Sequence, residues 1–187
     1  MKNRLYGNEI DRMPDFTFRV MKVLFAVYYF FRPAGKYLSK FGIKPGYAVV
    51  DYGCGTGAFI RDTAAIVGTS GIVYAVDIHE MAIANVRKLI TKYNLSNVKT
   101  VLTDGGKTSI EDEAADLIFA LDMFHMVSDT DSFLKELNRI TKKNGTLIIE
   151  DGHQPRSLTK EKILRSGCWE ILGEEKRYLQ CIPLTRV

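Results

Sequence analysis

The stretch Val49-Val50-Asp51-Tyr52-Gly53-Cys54-Gly55-Thr56-Gly57 decides how this chain folds. A short apolar run ends in an acid and three alternating glycines, and a helical pattern follows from Ala58. Glycines between a strand and a helix let the backbone turn sharply and admit a ligand where a Cβ would stand. The helix N-terminus beyond them offers free N–H groups and a positive dipole end. Three glycines cost chain entropy that a plain connection does not require, so the turn reads as a ligand-binding loop. The pyrophosphate of a dinucleotide asks for G-x-G-x-x-G, whereas here the third glycine falls one residue early. Asp51 argues the same way, since a carboxylate at the strand end repels a polyanion and suits a ligand carrying an ammonium group.

Outward from this turn, short apolar runs alternate with helical stripes, the pattern of βαβ units around a parallel sheet. Strands are predicted at Tyr47–Asp51 (after the breaker Lys44-Pro45-Gly46), Gly71–Asp77, Asn97–Leu102, Asp116–Leu121 and Thr146–Glu150. Helices are predicted at Ala58–Val67, Met81–Tyr93, Ser132–Thr141 and Leu158–Ser166, with Lys143-Asn144-Gly145 as a turn. In the second helix Ala82, Val86, Leu89 and Ile90 share one face; in the third, Phe133, Leu134, Leu137 and Ile140 are expected in the core. The last two runs, Cys168–Leu172 and Arg177–Pro183, are separated by Gly-Glu-Glu-Lys. That is too short for a parallel crossover and predicts an antiparallel hairpin. The expected fold is α/β and Rossmann-like: a seven-stranded mixed sheet, parallel with a C-terminal antiparallel hairpin, with helices on both faces.

The length of 187 residues suits one domain, here residues 46–187, preceded by a helical arm or lid over residues 1–45. The net charge of +4 is uneven, because residues 1–45 hold nine Lys/Arg against three acids, +6, leaving −2 for the rest. Such an arm can draw an anionic substrate, a membrane surface or RNA, or can simply present a solvated basic face. Phe16–Phe31 is the most apolar stretch, but it contains Arg19 and Lys22 and ends at Arg32-Pro33. It falls short of the roughly 20 apolar residues of a span, so peripheral membrane contact is the most it implies. Cys54, Cys168 and Cys181 make neither a disulfide framework nor a zinc-ligand spacing. A cytoplasmic setting and no metal are expected.

With these elements in place, Asp51-Tyr-Gly-Cys-Gly-Thr-Gly57 resembles the first motif of class I S-adenosylmethionine-dependent methyltransferases. Ala75-Val-Asp77 is similar to the acidic end of their second strand, and Thr103-Asp104-Gly105 to the acidic turn after the third. Asp116-Leu-Ile-Phe-Ala-Leu121-Asp122-Met-Phe-His125 resembles their fourth-strand motif, and Leu137 to Ile149 their helix, turn and fifth strand. The nearest look is to the small-molecule branch that includes quinone-biosynthesis methyltransferases. The resemblance implies S-adenosyl-L-methionine as cofactor and S-adenosyl-L-homocysteine as product. It makes Asp51, Gly53, Cys54, Gly55, Thr56 and Gly57 cofactor-binding residues, and puts Asp77 on the ribose hydroxyls. Ile78, Met81, Asp104 and Gly105 fall beside the adenine, and Leu121 and Asp122 near the cofactor from the fourth strand. Asp77 has the alternative of capping the next helix, and Asp104 that of an ordinary Asp-Gly turn.

Methyl transfer from a sulfonium is an in-line displacement, so holding the reactants in line supplies much of the effect. A base is needed only for a hydroxyl or acidic-carbon acceptor, and His125, just beyond the fourth strand, is the candidate. His153 is a second pocket candidate. Tyr6 is the arm residue expected to line an acceptor site for a lipophilic or aromatic small molecule. Asp122-Met-Phe-His125 lacks the Asn/Asp-Pro-Pro-aromatic motif of adenine and glutamine amino methyltransferases, and Thr108–Glu113 stands where the family's Leu-Pro-Phe segment is usual. The competing readings are an NAD-dependent oxidoreductase, opposed by the glycine spacing and Asp51, and an RNA-directed methyltransferase using the basic arm. Nucleic acid is disfavoured because no RNA-binding motif is present.

Overall fold

The computed structural model describes residues 15–17, 20, 24 and 34–184. Strand β1 (Ala48–Tyr52) lies between β2 (Ile72–Asp77) and β4 (Ala115–Ala120), and the full sheet order is β3 (Val98–Leu102), β2, β1, β4, β5 (Thr141–Glu150), β7 (Tyr178–Pro183), β6 (Trp169–Glu174). This is the expected seven-stranded mixed sheet. Residues 1–104 and 105–187 form two compact units.

In the first unit β1, β2 and β3 run parallel, with Asp51 opposite Ala75 and Asp77 opposite Leu102. Val49, Val50, Val73, Ala75 and Val76 are fully buried, as apolar strands covered on both faces must be. Helix α1 (Ala34–Leu38) precedes β1, and its Gly35 N–H donates to Asp62 on α2 (Ile60–Val67) at 2.8 Å. Helix α2 starts two residues later than the pattern predicts, because Ala58 and Phe59 belong to the turn. Helix α3 (Glu80–Tyr93) buries Ala82, Ile83 and Val86, while Leu89 and Ile90 are only half-buried, so the core-facing stripe is narrower than expected.

In the second unit β4 and β5 are parallel, and β5–β7–β6 are antiparallel. Helix α4 (Thr130–Ile140) buries Phe133, Leu134, Leu137 and Ile140 as predicted. Its C-terminal boundary differs: Thr141 already pairs with Ala115, and the strand resumes with Thr146 opposite Leu117. The predicted turn at Lys143–Gly145 is therefore a bulge inside β5. Helix α5 (Arg156–Arg165) starts two residues earlier than predicted. The hairpin turn is tighter than expected, since Gly173 and Glu174 remain in β6 and pair with β7. Trp169 anchors β6, only 1% exposed, with its indole N–H donating to the Leu134 carbonyl at 2.9 Å. Arg139 donates to Glu136 and Asp112, and the Thr108 backbone N–H and hydroxyl both donate to Glu136. Burial raises the Glu136 carboxyl, but these donors outweigh it and leave the group below its ordinary value.

Most of the arm, Tyr6 included, lies outside the described residues. Phe16, Val20 and Leu24 are helical and exposed at spacings of four. Among the described residues no helix is long and apolar enough to cross a membrane.

Candidate active site

The first unit builds a negatively charged cradle at the carboxyl ends of β1 and β2. The loop after β1 is held from beneath, where the N–H groups of Gly53 and Cys54 both donate to the Val76 carbonyl at 2.8 and 3.0 Å. Gly57 N–H closes the turn on the Cys54 carbonyl, and Asn85 of α3 donates to Thr56 O at 2.6 Å. At Gly57, φ is +75° and a Cβ would stand 2.7 Å from Leu89 and 3.1 Å from Val86. The third glycine of the motif thus serves the close packing of the turn on α3.

Asp77 ties the loop to β2 through both carboxylate oxygens. Oδ2 accepts the Gly55 N–H and Oδ1 the His79 N–H, each at 2.8 Å. It does not cap α3. His79 does, its Nδ1 accepting the Met81 N–H at 3.2 Å. Each Asp77 oxygen keeps acceptor capacity for a diol. Burial raises the Asp77 carboxyl, against the lowering effect of the N–H groups of Gly55, His79 and Ile78 and of the nearby His79 ring.

Asp51 is 3% exposed, and among the described residues its Oδ2 has no hydrogen-bond partner. Burial first, and then the Asp77 charge, hold its carboxyl well above the usual carboxylate range. The buried Cys54 thiol is pushed up by burial and by the same two carboxylates. Two buried acids and a suppressed thiolate make this a place for a cation.

The remaining first-unit candidates fall on the same edge. Ile78 and Met81 are half-buried, and Asp104 is exposed just beyond β3, whose line is extended by Thr103 N–H donating to Asp77 O at 3.1 Å. His79, missed in the sequence, is 3% exposed, and its Nε2 lies 3.5 Å from the Asp15 carboxylate of the arm. A helix-cap signal would have found it only if histidine belonged to the usual Ser, Thr, Asp and Asn set.

The second unit gathers a different group at the ends of β4 and β5. Leu121 is half-buried and Asp122 exposed, the latter in the left-handed region at φ 52°. His125 sits on a 3-10 turn (Phe124–Met126), and its ring meets that of His153 edge-on at 4.9 Å. His153 Nε2 is 3.9 Å from Asp122 Oδ1. Gly152, at φ +63°, has no room for a side chain, since a Cβ would stand 1.9 Å from His125 Nδ1. Burial lowers the His125 pKa, with His153 and Lys162 acting the same way and Asp122 opposing. Its imidazole is therefore neutral near pH 7 and able to accept a proton. Gly105 opens this unit at φ 96° with open space at its Cβ position.

A family model described as a methyltransferase domain matches residues 43–182, and the chain belongs to that family, the class I S-adenosylmethionine-dependent methyltransferases. Among curated relatives it is 31% identical over 122 residues to the ubiquinone/menaquinone biosynthesis C-methyltransferase UbiE of Teredinibacter turnerae, covering 65% of this chain and 49% of that protein. It is 28% identical over 132 residues to UbiE of Shewanella oneidensis, covering 70% and 53%. The chain thus spans about half the length of these relatives. Among solved structures, a SAM-dependent methyltransferase from Aquifex aeolicus matches with a TM-score of 0.70 and 26% identity, over 80% of this chain and 87% of that one. A protein of Pyrococcus horikoshii OT3 shares the fold at 20% identity and a TM-score of 0.68.

Proposed function

We propose that this chain is an enzyme transferring the methyl group of S-adenosylmethionine to a small-molecule acceptor by in-line displacement. The observation that carries the reading is the buried Asp51 carboxyl, whose Oδ2 is unpartnered among the described residues and whose ionisation is opposed by burial and by the neighbouring Asp77 charge until a cation arrives. A buried anion is stable only when paired. The amino-acid ammonium of S-adenosylmethionine supplies that pairing, with the ribose diol on Asp77. Ile78 and Met81 then flank the adenine, and Asp104 stands at its edge. Thr56 completes the proposed cofactor shell of the first unit.

On the acceptor side His125 is the proton acceptor, with Asp122 and His153 beside it. The acceptor is lipophilic and ring-bearing, as the names of the quinone-pathway relatives suggest. A cytoplasmic setting agrees with the free thiols of Cys54, Cys168 and Cys181. Calorimetric titration tests the central claim. S-adenosylhomocysteine binds to the wild type and not to Asp51→Asn, while NAD binds to neither. Tight NAD binding with the sulfonium product ignored would overturn the reading.

A further inference from the structure

We propose that Asp122, His125 and His153 form a binding site for one divalent transition cation of the Zn²⁺ type. One ligating atom from each residue lies within 4.8 Å of the other two. Metal–donor bonds of about 2.0–2.2 Å in a tetrahedral zinc site put donors about 3.4 Å apart, so closing the set takes little more than an ångström of side-chain movement. The outer two members can make it, since the His153 side chain is 73% exposed and that of Asp122 48%.

The backbone beneath them is already in place. Asp122 lies two residues beyond β4, His125 follows on the 3-10 turn, and His153 lies three residues beyond β5. These two strands are directly paired, Ala120 opposite Ile149. Two local features shape this corner. Asp122 holds a left-handed conformation, which aspartate adopts more readily than most residues. Gly152 gives up its side-chain volume to the His125 ring. The nearby Lys162 ammonium is engaged by Gln154 at 2.7 Å and stands over the Phe124 ring.

Two imidazoles and one carboxylate suit zinc, iron, cobalt or nickel better than magnesium or calcium, and they leave coordination positions open. In the proposed methyltransferase, and resting on that reading, the open positions take an oxygen of the acceptor. A neutral imidazole offers a single in-plane lone pair, so an ion on His125 would replace its proton-accepting role and would instead make the bound acceptor oxygen more acidic. Metal loading and proton removal through the same nitrogen therefore exclude each other.

The test uses the full chain without an affinity tag, stripped with chelator. Zn²⁺ is titrated by calorimetry and Co²⁺ by its visible absorption. The expected result is one ion per chain, with no thiolate-to-cobalt charge-transfer band. Affinity should drop at least about tenfold in His153→Ala and in Asp122→Asn, and be unchanged in Cys168→Ser. Asp122→Asn keeps a residue that tolerates positive φ, and His153 is exposed, so both variants fold. No stoichiometric binding, equal affinity in both variants, or loss of binding in Cys168→Ser would overturn the site. S-adenosylhomocysteine is titrated separately on the same samples. Cofactor binding without metal uptake sinks only the metal site, and metal uptake without cofactor binding sinks only the methyltransferase reading.

Discussion

Asp51 is a buried carboxyl whose ionisation is costly until a cation pairs with it. Its carboxyl, and that of Asp77, sit above their ordinary values mainly through burial. A carboxyl raised in the folded state binds more protons there than in the unfolded chain. Its contribution to stability is complete below the ordinary carboxyl pKa of about 3.9 and is lost as pH rises through the raised value. Asp51→Asn should therefore melt higher than the wild type without ligand, and the gap should widen as pH rises above the ordinary carboxyl range towards the raised value. Each kcal/mol corresponds to about 2–4 °C in a chain of this size, measured by thermal denaturation. An unchanged gap across that range would show that Asp51 does not titrate as its burial requires. In the wild type, an arriving ammonium favours the ionised carboxyl, so S-adenosylhomocysteine affinity should rise with pH and binding should release protons. Calorimetry in buffers of different ionisation enthalpy reads this directly.

At the scale of elements, the glycine turn and α3 are packed too closely to accept a side chain at position 57. Gly57→Ala adds a methyl 2.7 Å from Leu89 at a φ of +75°. It should cost about 1–3 kcal/mol and weaken cofactor binding as the turn moves off α3. Wild-type melting and affinity would show that α3 yields freely. Helix α4 is held by its apolar face, with Leu137 fully buried, and Leu137→Ala should cost about 2–5 kcal/mol in denaturant unfolding. The ends of β4 and β5 carry the proposed chemistry. His125→Ala should lower turnover by about a hundredfold or more while leaving S-adenosylhomocysteine affinity near wild type. Equal losses in both would make His125 a cofactor contact instead.

For the whole molecule, ligand binding to the folded state is a stability gain that depends on concentration. S-adenosylhomocysteine at about a hundred times its Kd should stabilise the chain by about 2.7 kcal/mol, read as a rise in Tm, and NAD at equal concentration should leave Tm unchanged. The uneven charge, +6 in residues 1–45 and −2 beyond, bears on partners of the whole chain. Without base-reading or stacking motifs, any RNA retention should disappear on raising salt. Binding that survives would revive an RNA acceptor.

Apolar runs and breakers were enough to place every strand from β1 to β7: burial on two sheet faces demands continuous apolar sequence in β1 and β4, and breakers bound the half-exposed β3 and β6. The glycine spacing and Asp51 likewise exposed the cradle, since loop chemistry there is local. Boundaries were less legible: the bulge at Lys142–Gly145 depends on pairing with β4, and the hairpin turn on pairing with β7. His79 capping α3, Asp77 bracing the loop through Gly55, and the meeting of Asp122, His125 and His153 were not readable in one dimension. Asp122 and His153 are separated by a helix and a strand in the chain. Only the parallel pairing of β4 with β5 brings them to one edge, and no local spacing rule encodes a contact that the sheet creates.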